Sequence, residues 1–358
     1  MYLADLGPKL NQTGCGIDIQ GVNISCLLFA DDLVLLGRTA ADLQHLTKLS
    51  IEYFDNHHLK ISEKKSKIMA YKASTGKMVF NGPDTSISLE HVLSFKYLGV
   101  QISCSSFSLF KAFNESVVKK ATNYLQSVLS LTKSGPDKSE MAHVLWTRVA
   151  IPAILYGAEV IPLTQATINE VERCQSQVGK FILQLPRNSA NVSANIDAGL
   201  QPIWSLIVEK FLLYATRTMT KPQSFWPKLA MDEQISLGDK SLYTKTLLKY
   251  KTLTGSFGAP PEQTKKLVKD RAVLAVISEQ IKVAVTTSSM NHPSRTGWFR
   301  RKKWVNDSPF SKIFAEFRAC NARLGNRGPT KDGQFFKLCP LCAKVLNSIN
   351  IFNPDLIL

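Results

Sequence analysis

Short apolar runs broken by polar turns fill the first hundred residues, and long stretches at helical spacing follow. Cys26-Leu27-Leu28-Phe29-Ala30 and Leu33-Val34-Leu35-Leu36-Gly37 are apolar segments separated only by Asp31 and Asp32. This pattern predicts a β-hairpin with buried strands over 25–29 and 33–36 and the two acids at its turn. Thr39, with Asp42 three residues on, gives a capping-box-like start. Leu43, Leu46, Leu49 and Tyr53 then recur at helical spacing, predicting an amphipathic helix over 39–57. His57 and His58 close it, where a cation suits the helix dipole. Leu59-Lys60-Ile61-Ser62-Glu63-Lys64-Lys65-Ser66-Lys67-Ile68-Met69-Ala70-Tyr71 reads as a basic turn leading into a strand. Phe95-Lys96-Tyr97-Leu98-Gly99-Val100-Gln101-Ile102 has strand composition with a glycine at a bend.

Beyond Phe107 the period changes. Phe110, Phe113, Val117, Val118, Ala121, Tyr124, Leu125 and Val128 form a 3.6-residue stripe. Ser134-Gly135-Pro136-Asp137 is a break, and Ser139 is the expected cap of a helix over 141–149 that runs towards Pro152. Residues 167–183 and 203–219 repeat the helical signature. The stretches 220–227 and 255–261 read as linkers, and 264–271 as part of a basic helix. The fold class expected is α+β for the N-terminal part, followed by a mostly α-helical region. The expected divisions are 1–103, 104–220 and 221–358.

Composition narrows the class. The 358 residues are enough for two or three domains. Hydrophobic residues make up 44%, so cores can form. Lysine and arginine number 44 against 28 acids, a net charge of +16 that favours a polyanionic partner such as RNA or DNA. Seven scattered cysteines point to a reducing compartment rather than a disulfide framework. With no signal-peptide pattern and no long apolar run, an intracellular location, nucleus or cytoplasm, is expected and a membrane partner is not.

The two acids carry the chemistry. Asp-Asp is also an ordinary polar turn. Adjacent carboxylates between apolar strands nevertheless repel, and a divalent cation with hard oxygen ligands relieves that repulsion. A pair of aspartates at a hairpin tip is one of the elements that a two-metal phosphoryl-transfer site requires.

The order Phe-Ala-Asp-Asp, helix, Leu-Lys-Ile-x-x-x-Lys-Ser-Lys, then Phe-Lys-Tyr-Leu-Gly-Val resembles the reverse transcriptase domain of non-LTR (LINE-type) retrotransposons. The close resemblance covers residues 1–102, which it makes a partial polymerase palm. It implies that Asp31 and Asp32 bind catalytic Mg²⁺ and that Lys65 approaches the incoming triphosphate. It also implies that Tyr97, Leu98 and Gly99 form a primer grip. More loosely, Ile151-Pro152-Ala153-Ile154-Leu155-Tyr156-Gly157-Ala158-Glu159 and the block 174–202 are similar to the thumb-like helical region of such elements. The stretch 225–290 matches nothing in it.

The family pattern also has a third metal-binding aspartate and a glycine-rich nucleotide pocket, on segments before the Asp-Asp hairpin. These 358 residues start within the tail of the helix that follows them, and neither Asp5 nor Asp18 sits in an apolar strand. The expectation is therefore an N-terminally truncated fragment, inactive alone, that binds Mg²⁺ weakly. Two other readings remain: a nucleic-acid-binding module, and a protein-interaction fragment that exposes surfaces once covered by the rest of a polymerase.

The densest basic patch holds Trp298, Arg300, Arg301, Lys302 and Lys303, where cations meet phosphates and aromatic rings stack on bases. Its other reading is a solvated turn anchored by Trp298. Cys339 and Cys342 resemble the start of a zinc knuckle, but no Cys or His follows them. Zinc is not expected, and two idle thiols are.

Overall fold

The computed structural model describes residues 5–70, 77–81, 86–104, 110–134, 137–189, 191–256 and 259–271. Trp298, Arg300 to Lys303, Cys339 and Cys342 lie outside the described residues. Contacts gather the chain into two compact units. One holds the residues up to Phe113 together with Thr218–Lys245; the other holds Asn114–Arg217 and continues from Thr246.

The first unit is α+β. Helix α1 (Leu6–Asn11) is followed by β1 (Ile17–Ile19), β2 (Val22–Ile24), β3 (Cys26–Phe29) and β4 (Asp32–Leu35). Next come α2 (Ala40–Asn56), β5 (Lys67–Ile68), β6 (Lys77–Asn81), β7 (Ser86–His91), β8 (Ser94–Tyr97) and β9 (Val100–Ser103). Three antiparallel hairpins, β1–β2, β3–β4 and β8–β9, stand as separate two-stranded sheets, and β5 runs parallel to β7 in the order β5-β7-β6.

Helix α2 is the hub of this unit. Thr39 caps it with reciprocal hydrogen bonds: Asp42 N donates to Thr39 Oγ1 at 3.1 Å, and Thr39 N donates to Asp42 Oδ2 at 3.0 Å. This is the capping box read from the sequence. Two apolar faces diverge from the helix. Leu46 and Tyr53 pack with Leu6, Leu10 and Cys26, and Leu28, Leu33 and Leu35 of the hairpin β3–β4 close over them. Ile51 instead joins Ile68, Phe80, Ile87 and Leu89 of the β5–β7 sheet. Each fully buried Leu or Ile contributes about 1.5–3 kcal/mol, so the strands are held mainly by the helix rather than by their few ladder bonds.

The second unit is helical, built mainly from α3 (Lys111–Thr132), α4 (Lys138–Val144), a π-helical segment (Leu145–Ala150), α5 (Ile151–Ile154), α6 (Gln165–Ile182), α7 (Asn191–Asp197), α8 (Ile203–Met219) and, after α9 (Trp226–Ser236) of the first unit, the part of α10 (Leu242–Thr254) from Thr246 on. Residues 261–271 are also helical. Val117, Ala121, Leu125 and Val128 are buried, as the stripe requires.

Two local expectations differ. Ser139 is not a cap; its hydroxyl donates to the Ile182 carbonyl at 2.8 Å and ties α4 to the end of α6. The helix that starts at Lys138 also does not stop before Pro152. It widens to π geometry over Leu145–Ala150 and continues into α5 with Pro152 in its first turn. Proline lacks an N–H and crowds the preceding turn, and a π segment relieves both problems.

Candidate functional site

The Asp-Asp hairpin forms with a register of Cys26↔Leu35, Leu27↔Val34, Leu28↔Leu33 and Phe29↔Asp32. Ala30 and Asp31 make a two-residue turn, and Asp32 opens β4 rather than lying in the loop. Ala30 has φ 54°, the left-handed region that a residue with a Cβ enters only at a cost. The hairpin holds that conformation because its strands are clamped from below. Leu36 N donates to Ser25 O at 2.8 Å, and α2 packs beneath. Local strain of this kind concentrates at functional sites.

Asp31 and Asp32 are both exposed, and the strands are half-buried. The expectation of buried strands is corrected on this point: Cys26 is buried, and the other strand residues are half-buried or exposed. The repulsion of the pair is eased by water, and burial adds nothing to it. Phe29 beside them is 61% exposed.

The second hairpin, β8–β9, pairs Tyr97 with Val100 across Leu98 and Gly99. Leu98 has φ 46° and Gly99 φ 82°, the two positive values of a type I′ turn, whose twist matches its flanking strands. Gly99 meets that requirement without strain, and Leu98 does not. Tyr97 is half-buried, and burial pushes its phenol pKa up; the Asp32 carboxylate adds to the rise. The structure thus brings the tip of one hairpin into the electric field of the other. Lys65 stands exposed in the turn 63–65, which is closed by backbone bonds from Lys65 N at 3.1 Å and Ser66 N at 2.9 Å to Ser62 O. The next strand begins at Lys67, whose ammonium pairs with Glu90 at 2.8 Å.

Among the described residues, no cluster of three or more His, Cys, Asp or Glu side chains could hold a metal ion. The donor chemistry at the hairpin suits Mg²⁺, with hard carboxylate oxygens facing water, but the set is two carboxylates rather than a cage. Asp18 belongs to no such cluster; its Oδ1 accepts Gly21 N at 3.1 Å in the β1–β2 hairpin.

The comparisons with known proteins fit this geometry. Residues 3–102 match the family model for reverse transcriptase (RNA-dependent DNA polymerase). The matched span runs from α1 almost to the end of β9, so it contains both hairpins and the basic turn. The chain is also similar to an uncharacterized transposon-derived protein of Caenorhabditis elegans, 24% identical over 154 residues. That likeness covers 43% of this chain and 54% of the relative, so it spans about half of the relative's length. The likeness to reverse transcriptases thus falls on the N-terminal unit.

One chemically unusual residue escaped the sequence reading. Glu172 lies on α6 in phase with the buried Ile168, Val171, Gln175 and Val178. An acid on the apolar stripe of an amphipathic helix was the available signal. No helix among the described residues is long and apolar enough to cross a membrane.

Proposed function

We propose that this chain is part of a LINE-type retrotransposon reverse transcriptase, carrying the lower palm and a thumb-like helical region. In this reading Asp31 and Asp32 hold Mg²⁺ together with substrate phosphates. Lys65 faces the incoming triphosphate, and Tyr97, Leu98 and Gly99 support the primer end. The bound ion would neutralise charge developing on the transferred phosphoryl oxygens. The observation that carries the reading is the strained Ala30-Asp31 turn, which presents two exposed carboxylates beside the field-coupled Tyr97. RNA and DNA are the proposed partners, in keeping with the net charge of +16.

A corollary concerns activity. Among the described residues no third ligand joins the two carboxylates, and two carboxylates alone hold Mg²⁺ weakly, so we propose that the chain by itself is inactive. Primer extension on a primed RNA template with Mg²⁺ or Mn²⁺ tests this. No product is expected. Extension that disappears in Asp31→Ala would show that another group completes the site.

A protein-interaction role has its own support. Val79 and Leu93, on or beside the hairpin strands, are 52% and 56% exposed. Apolar side chains left open on short hairpins suit a covering polypeptide, such as the remainder of a polymerase.

A further inference from the structure

The helical unit contains a cavity of about 730 Å³ bounded by α6, α7, α8 and α10. Its size is that of a small-ligand site. Most of its wall is apolar, and two aromatic rings, Trp204 of α8 and Tyr250 of α10, line it. Tyr250 is buried and fixed edge-on against Phe211, with ring centroids 5.4 Å apart. Lys249 stands exposed at the rim.

Glu172 is the polar anchor of this wall. Its Oε1 accepts Asn195 Nδ2 at 2.9 Å, and its Oε2 accepts the Ile203 backbone N–H at 2.8 Å in the first turn of α8. A carboxylate has about four acceptor positions, so these two bonds leave room for another donor. The neighbouring cation does not serve Glu172, because Arg173 Nε turns to Glu170 Oε2 at 2.6 Å. Glu172 is half-buried, and setting a carboxylate into an apolar wall without a cation is costly, a cost that a ligand N–H would offset.

A planar aromatic ligand with an N–H edge fits these walls, and so does an anionic group at the rim. Unpaired bases of single-stranded RNA are read in this manner, by stacking on aromatic side chains and by hydrogen bonds to their pairing edge. Among the bases, guanine presents N1–H and N2–H side by side, the best donor edge for a carboxylate. We propose that this cavity receives one unpaired guanine of a bound strand, with Glu172 accepting from its N–H edge, Trp204 and Tyr250 flanking the ring, and Lys249 meeting the adjoining phosphate. The inference rests on the reading of the chain as a nucleic-acid binder, and it adds a base preference in a unit separate from the Asp-Asp hairpin.

The test uses the full chain and two fluorescent RNAs, a uridine tract and the same tract with one central guanine, read by anisotropy. The single guanine should tighten binding by about tenfold, or 1.4 kcal/mol. That gain should vanish in Glu172→Gln and in Trp204→Leu. Melting curves of both variants identify any that fails to fold, and the other then carries the test. Equal binding of the two RNAs overturns the proposal while leaving nucleic-acid binding intact, as does a gain that survives both folded variants. If neither RNA binds, the nucleic-acid reading itself fails, and titration with guanosine monophosphate decides the cavity alone. Binding that is lost in the variants keeps it as a guanine site, and absence of binding removes it.

Discussion

The Asp32 carboxylate reaches Tyr97 electrostatically: one opens β4 behind the Asp-Asp turn, the other ends β8, and the phenol's pKa is raised by burial first and by Asp32 second. No ladder bond joins these two hairpins, which form separate sheets. What relates them at these two residues is the field of the Asp32 carboxylate at the Tyr97 phenol.

Asp32→Asn should therefore lower the Tyr97 pKa while leaving it above the ordinary tyrosine value, because burial persists. Tyrosine-selective NMR titration reads this directly. The sign for stability follows from linkage. The folded state holds the phenolic proton more tightly than the unfolded state, so this contribution is full below the ordinary tyrosine pKa and is lost as pH rises through the folded value. A Tyr97 pKa unchanged in Asp32→Asn would separate the two hairpins.

Thr39→Ala should destabilise the chain by about 1 kcal/mol, the usual worth of an N-cap hydroxyl. The Asp42 pKa is lowered by its hydrogen bonds from the Thr39 side chain and backbone, so it should rise in the variant. The capping contribution is present above the ordinary aspartate pKa and is lost as pH falls through the folded value. Urea denaturation at neutral and at acid pH measures both effects.

Glu172 should give the opposite slope. Burial raises its pKa despite the bonds from Ile203 and Asn195. Its contribution to stability is then full below the ordinary glutamate value and declines as pH climbs through the raised folded value. In Glu172→Gln that decline should disappear. In Glu172→Ala the Ile203 N–H and the Asn195 amide lose a partner, a loss of about 1–3 kcal/mol. Denaturation midpoints across mildly acid pH test this, and identical profiles for wild type and Glu172→Gln would contradict it.

What the sequence disclosed was local. The turn between Phe29 and Asp32, the Thr39–Asp42 capping box, the α3 stripe and the hairpin around Gly99 all follow from residues within a few positions of each other. What it hid depends on distant partners. The Ser139 hydroxyl looked like a cap, yet its acceptor, Ile182, is 43 residues away. Glu172 meets Asn195 and Ile203 across 23 and 31 residues, so no spacing rule could reveal the cavity. The β1–β2 hairpin went unread because its strands have three residues each, too few for alternation to show. The partial exposure of β3 and β4 has a related reason: apolar flanks do not say which face of a hairpin a helix will cover.

The most direct test of the palm assignment is paramagnetic broadening by Mn²⁺, followed by NMR on the backbone amides. Broadening centred on Ala30, Asp31 and Asp32 at about millimolar Mn²⁺, displaced by Mg²⁺ and abolished in Asp31→Asn with Asp32→Asn, is the expected result. Broadening that spares this hairpin, or that survives the double substitution, would contradict the assignment of Asp31 and Asp32 as the metal-binding pair of a reverse transcriptase palm.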